Sequence, residues 1–246
     1  MKLIAIYAIA KKELQSYFYS PIAYVVMTVF LIITGILFNT TLESFQSEFT
    51  PDHEPMEVIY GSSFWITQLI LIPTITMRLF SEDKRTGYIE VLLSAPVKDY
   101  EVVLGKYFGA SIYYIILWLP TWIYVYILFQ LTTPDIGPIL TGFLGVILIG
   151  LFFTSIGLLA SALTKNQVIS SVICFCIIAI IFSIGKLKEK VENETLSTIF
   201  QQVSLLDHSL DFSKGIIDTS YIIYYISVIV LSLFATVRIL ESRKWS

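Results

Sequence analysis

Six stretches without a single charged residue run through this chain: Ile22 to Thr41, Ser62 to Met77, Tyr107 to Phe129, Ile139 to Leu163, Gln167 to Ile184 and Tyr221 to Val237. Crossing the hydrocarbon core of a bilayer takes about 20 residues of helix, with every backbone N–H and C=O satisfied inside the segment. Three of the six runs meet that length and the others approach it; the second and fifth are shorter and need their flanks. With 56% hydrophobic residues, 14% charged and a mean hydropathy of +0.77, the chain lies far from soluble composition. The expected fold class is an all-α polytopic membrane protein with six transmembrane helices, at 22–41, 62–79, 102–129, 139–163, 167–184 and 221–240.

An even number of crossings puts both termini on one side, and the basic residues choose which. With the N-terminus in the cytoplasm, only Lys186, Lys188, Lys190 and Lys214 of the 16 Lys and Arg fall outside, as the positive-inside rule requires. Segments 43–61 and 185–220 are then outer and 80–101 cytoplasmic. The expected location is the bacterial inner membrane. Leu3 to Ala10 is too short for a signal-peptide core and runs into Lys11, Lys12 and Glu13, so the N-terminus is expected to be retained.

Residues 1–20 place Leu3, Ile6, Tyr7, Ala10, Leu14, Tyr17 and Phe18 at helical spacing on one face, the pattern of a helix lying in the interface. Ser20 and Pro21 read as N-cap and first residue of the first crossing. Pro120 predicts a kink in the third. In the outer segment, Leu196, Ile199, Phe200, Val203 and Leu206 suggest a short amphipathic helix on the outer leaflet. That segment could equally dock a partner with a large extracytoplasmic domain.

Several chemistries lack their residues. There is no GxxxxGK[ST] loop; Gly105-Lys106-Tyr107 lacks both the upstream glycine and the hydroxyl residue that would hold magnesium. His53 and His208 read as exposed loop residues without nucleophilic or metal-ligating company. Cys174 and Cys176 sit two apart in an apolar run and read as fillers on different faces. No ionisable residue lies in the middle of a crossing, against a secondary carrier with its own coupling site. Gln68, Thr67, Thr74 and Thr76 give the second crossing a mild polar face suited to a helix contact. A net charge of -3 gives no sign of a nucleic-acid partner. No cofactor or metal site and no catalytic residue is expected in this chain.

The informative cytoplasmic stretch is Arg78 to Pro96. Thr86 or Gly87 can start a helix, Glu90 falls in its first turn where a carboxylate suits the helix dipole, and Pro96 ends it. Ile89, Leu92 and Leu93 share one face, and a second helix begins near Asp99 and Glu101. This shape suits docking of another protein, and it also suits an ordinary interfacial loop whose leucines touch lipid; the physics leaves both open.

The run Arg78 to Pro96 followed by Val103-Leu104-Gly105-Lys106 resembles the signature of ABC-2 type permeases. Within that family it is most similar to the permeases of gliding motility and their relatives in copper-enzyme maturation. Ile156 to Gln167, Gly215-Ile216-Ile217-Asp218, Lys12-Glu13-Leu14 and Ser20-Pro21 resemble the family in the same order. One departure is Tyr88, where the family commonly has Thr.

The resemblance implies a type V exporter-like architecture paired with a second permease copy or homologue and with cytoplasmic ABC ATPase subunits that hold the ATP and Mg. It implies that residues 1–20 are the connecting helix and that Glu82, Arg85, Thr86, Gly87, Glu90, Leu92 and Leu93 couple to the ATPase. It implies re-entrant helices in 185–220. The expected function is a permease subunit driven by ATP hydrolysed elsewhere; the alternative is a membrane anchor of a motility or envelope complex.

Overall fold

Apolar runs become helices here, and the points where Pro, Gly or a polar cap interrupts them set the turns. The computed structural model describes residues 2–47, 62–94, 97–131, 134–187 and 204–242, and every regular element among these is helical. Helix α1 is Lys2–Tyr19, α2 Pro21–Ser47, α3 Ser62–Thr76, α4 Ser81–Thr86 and α5 Tyr88–Ser94. Helix α6 is Asp99–Trp118, α7 Trp122–Leu131, α8 Ile136–Leu163, α9 Gln167–Leu187, α10 Leu205–Ser213 and α11 Thr219–Ser242.

Five stretches among the described residues are long and apolar enough to cross a membrane: Pro21–Glu43, Phe64–Thr86, Asp99–Leu131, Ile136–Leu163 and Thr219–Ser242. The apolar helix Gln167–Ser183 is shorter. The chain is thus an all-helical, multi-pass membrane protein.

Helix α8 lies at the centre. At 28 residues it is about 42 Å long, and it packs against α3, α6, α9, α10 and α11. The Asp135 carboxylate accepts a bond from the Gly137 N–H at 3.1 Å, capping its start. Tyr114 ties three helices together: Gln68 Nε2 donates to its hydroxyl at 2.5 Å, and the hydroxyl donates to the Val146 carbonyl at 3.2 Å. The ring fills the space a side chain at Gly150 would need. Gln68 is therefore a helix contact, as is Thr76, whose hydroxyl donates to the Ile72 carbonyl at 2.8 Å.

Two prolines mark breaks. Leu119–Thr121 is a single 3-10 turn between α6 and α7, the interruption that Pro120 imposes by removing an N–H from the ladder. Pro73 lies inside α3, and that helix gives way three residues later to the bend that leads into α4.

Phe64, Trp65 and Trp118 pack together in the core, with Trp65 and Trp118 at 3% and 4% exposure. Ser20 stands at the N-cap position of α2 with Pro21 as the first helical residue, and its hydroxyl is the acceptor for Arg78 Nη1 at 3.4 Å. Helix α1 buries only part of its apolar face: Ala10 and Tyr17 are buried together with Ile9, whereas Leu3 and Tyr7 stay 82% and 68% exposed.

The cause lies in α6. A Cβ at Gly105 would come within 2.6 Å of the Ile9 Cβ, and one at Gly109 within 2.7 Å of the Glu13 Cβ. Two glycines four residues apart make a shallow groove into which the α1 backbone sinks. Shape, not the apolar stripe, fixes the docked face.

Candidate coupling joint

The side chains that fasten the α4–α5 corner come from three directions. Lys106, on α6 one residue beyond the first of those glycines, is 1% exposed. Its Nζ lies 2.5 Å from Glu13 Oε1 on α1 and 2.7 Å from Asp83 Oδ2 on α4. The ammonium also stands 5.3 Å from the centre of the Phe80 ring. One buried cation and two carboxylates thus bind α1, α4 and α6 into a single unit. A buried charge is tolerated only when paired on this scale, so the position of each helix depends on the other two.

The C-terminal end of α8 grips the same corner from the other side. The Ser161 hydroxyl accepts from the Phe80 and Ser81 N–H groups at 2.9 and 3.1 Å and donates to the Met77 carbonyl at 3.1 Å. Lys84 is buried, and its Nζ donates to the Ala162 carbonyl. Gly157 permits this contact, since a Cβ there would lie 2.7 Å from the Thr76 Cβ. The stretch from Ile156 to Gln167, singled out above as a family resemblance, therefore supplies the seat of the α3–α4 bend.

The corner itself is a left-handed glycine. Gly87 has φ 74° between α4 and α5, a conformation open to Gly and costly to other residues. Thr86 therefore closes a helix, where it was a candidate to start one; its hydroxyl bonds back to the Glu82 carbonyl at 2.9 Å. The charged run Ser81–Thr86 is helical, with Glu82 and Asp83 in its first turn and Lys84 and Arg85 in its last, the order a helix dipole favours. Glu90 does fall in the first turn of α5. Tyr88 has a partner of its own, the Lys12 ammonium at 3.7 Å from the ring centre.

Of the residues with an expected coupling role, Arg85, Thr86 and Glu90 are exposed. Glu82 and Gly87 are half-buried beside a polar recess of about 640 Å³ between α1 and α4. Leu92 is half-buried and packs on the core beside the buried Ile89. The Leu93 side chain and Pro96 lie outside the described residues. Glu13, Lys84, Lys106 and Ser161 carry the joint and were absent from the expected set. The family-like stretches Lys12 to Leu14, Val103 to Lys106 and Ile156 to Gln167 contain Glu13, Lys106 and Ser161.

Tyr17 adds an uncharged tie. Its hydroxyl donates to the Ile75 carbonyl at 2.7 Å and its ring stacks on Tyr113 at 4.4 Å. Burial pushes its phenol well above the usual range. Among the described residues, no three His, Cys, Asp or Glu side chains gather as a metal site would need.

The match that decides the family spans most of the chain: residues 49–241 fit the model for the ABC-2 family transporter protein. The chain belongs to the ABC-2 transporter family. ABC-2 permeases are the membrane component of transport and typically work with an ATPase partner. No curated protein matches this ABC-2 chain.

The far end of the ABC-2 bundle corrects one more expectation. His208 is fully buried in α10, not an exposed loop residue. Its ring stacks on Tyr221 at 3.8 Å, and its Nδ1 shares a hydrogen bond with the Tyr225 hydroxyl at 3.0 Å. Tyr221 donates to Asp211 Oδ2 at 2.7 Å, and Thr141 donates to the Phe212 carbonyl at 2.7 Å. The amphipathic helix expected from Leu196 to Leu206 falls mostly outside the described residues, as does His53.

Proposed function

We propose that this chain is the permease subunit of an ATP-driven ABC-2 transporter, and that the α4–α5 corner receives the stroke of a cytoplasmic ATPase. The observation that carries the reading is the Lys106 joint. A push on the exposed side chains Arg85, Thr86 and Glu90 reaches α4, and through Asp83 and Lys106 it reaches α1 and α6 together. The force is thus divided between an interfacial helix and the third crossing.

On this reading Gln167–Leu187 is a sixth crossing beside the five long ones, both termini are cytoplasmic, and the membrane is the bacterial inner membrane. A second permease copy or homologue completes the pathway, and ATP with Mg²⁺ binds in the partner. The sequence likeness to gliding-motility permeases supports a place in that branch. Glu82, Arg85, Thr86, Gly87, Glu90, Leu92 and Leu93 have a mechanical role.

The test is co-purification of the full chain at native expression, followed by ATP hydrolysis in nanodiscs. An ATPase should accompany the wild type, and Glu90→Lys should uncouple hydrolysis from transport while the permease remains folded. A chain that never brings down an ATPase, or that supports its phenotype beside a hydrolysis-dead ATPase, is an anchor and not a permease.

A further inference from the structure

We propose that the groove between α2 and α3 binds an anionic phospholipid, with the phosphate held by Arg78 and Arg85 at the coupling joint and an acyl chain lying along α2. Two adjoining cavities carry this. The first, about 300 Å³, lies where α1, α2 and the α3–α4 bend meet; Ser20, Arg78 and Arg85 line it. The second, about 210 Å³, is walled by Val25, Val29, Ile33, Ile70 and Leu71 with almost no polar surface. Val26 and Thr74 line both, so the polar cavity adjoins the apolar one. From Val26 to Ile33 the groove runs about 10 Å along α2, enough for the upper half of an acyl chain.

Charge selects the headgroup. Lys106 already holds Glu13 and Asp83, and neither Arg78 nor Arg85 has an ion pair among the described residues. Arg78 rests on the Tyr17 ring at 4.5 Å and reaches the Ser20 hydroxyl at 3.4 Å. That leaves guanidinium edges free for phosphate, the anion their fork fits. Glu82 is the one carboxylate at the cavity, so the site keeps a net positive charge. An open apolar groove at bilayer depth excludes water and is filled by acyl chain, and a phosphodiester at its charged mouth satisfies both ends at once. The site needs the cytoplasmic placement of Arg78 only to choose the leaflet. A lipid there would touch the α1–α4 recess and bear on the joint.

The experiment is native mass spectrometry of the full chain released from nanodiscs of equal parts dioleoyl phosphatidylglycerol and dioleoyl phosphatidylcholine. The wild type should retain phosphatidylglycerol preferentially. Each of Arg78→Gln and Arg85→Gln should lower that preference about fivefold, Arg78→Lys should keep most of it, and Glu82→Gln should raise it. Val29→Trp fills the groove without touching charge and should reduce retention of both lipids. Inorganic phosphate should not displace the lipid. Equal retention of the two lipids by the wild type, unchanged preference in the arginine variants, or a dimer carrying no retained phosphatidylglycerol, as when a second copy covers the groove, overturns the proposal. None of these readouts requires an ATPase, so the site can fail while the permease reading stands.

Discussion

At one end of the bundle three helices meet on a buried ammonium; at the other, α10 is held to α8 and α11 by stacked rings and hydrogen bonds. The two ends differ in how they fail. Around Lys106, loss of the ammonium leaves two carboxylates without their counter-charge, so the joint fails as a unit. Around His208, each contact is worth a hydrogen bond or a ring stack, and the clasp loosens in steps. An element that must move as a unit is better built the first way, and one that must yield locally the second.

Lys106→Met breaks the contrast at its strongest point. It should leave Glu13 and Asp83 facing each other without a cation and cost about 3–5 kcal/mol, read as thermal unfolding in detergent with loss of hydrogen-exchange protection in α1 and α4. The triple variant with Glu13→Gln and Asp83→Asn should recover a large part of that loss. Gly105→Ala should cost roughly 1–3 kcal/mol through overpacking against Ile9, and a cysteine crosslink between α1 and α6 should report the separation. His208→Phe keeps the ring and removes the bond to Tyr225. It should cost about 1 kcal/mol, with altered exchange confined to α10 and the start of α11.

The smallest effect belongs to Tyr17. Its phenol titrates above the ordinary 10.0 in the fold because burial disfavours the phenolate. The folded state therefore holds a proton the unfolded chain gives up, and this contribution is complete below pH 10.0 and lost as pH rises through it. Tyr17→Phe should flatten the alkaline fall in stability; an unchanged slope between wild type and variant would contradict the assignment.

These outcomes also separate what the sequence could and could not disclose. The apolar runs, the Pro120 break and the place of Glu90 in α5 follow from composition and local rules, because each depends on residues within a turn or two. Lys106 did not look buried, since a lysine near a helix end ordinarily reaches water. Its partners lie 93 residues away at Glu13 and on a different helix at Asp83. His208 had the polar neighbours of a loop, and only the return of α11 encloses it. Which part of the apolar face of α1 docks on α6 was not legible, because hydrophobic periodicity is blind to a partner's glycines. The exposed residues Arg85, Thr86 and Glu90 remain a matter for the ATPase experiment.

Ser161 carries a consequence that reaches beyond the joint. One hydroxyl on α8 serves two amides and a carbonyl of the α3–α4 bend, so α8 and that bend share a hinge pin. The linkage can then be driven from either end: a displacement of α8 would shift the bend. On the proposed reading, occupancy in the membrane would be legible to the motor before any nucleotide is spent, and Ser161→Ala would make the motor deaf to it while leaving the side-chain volume almost unchanged.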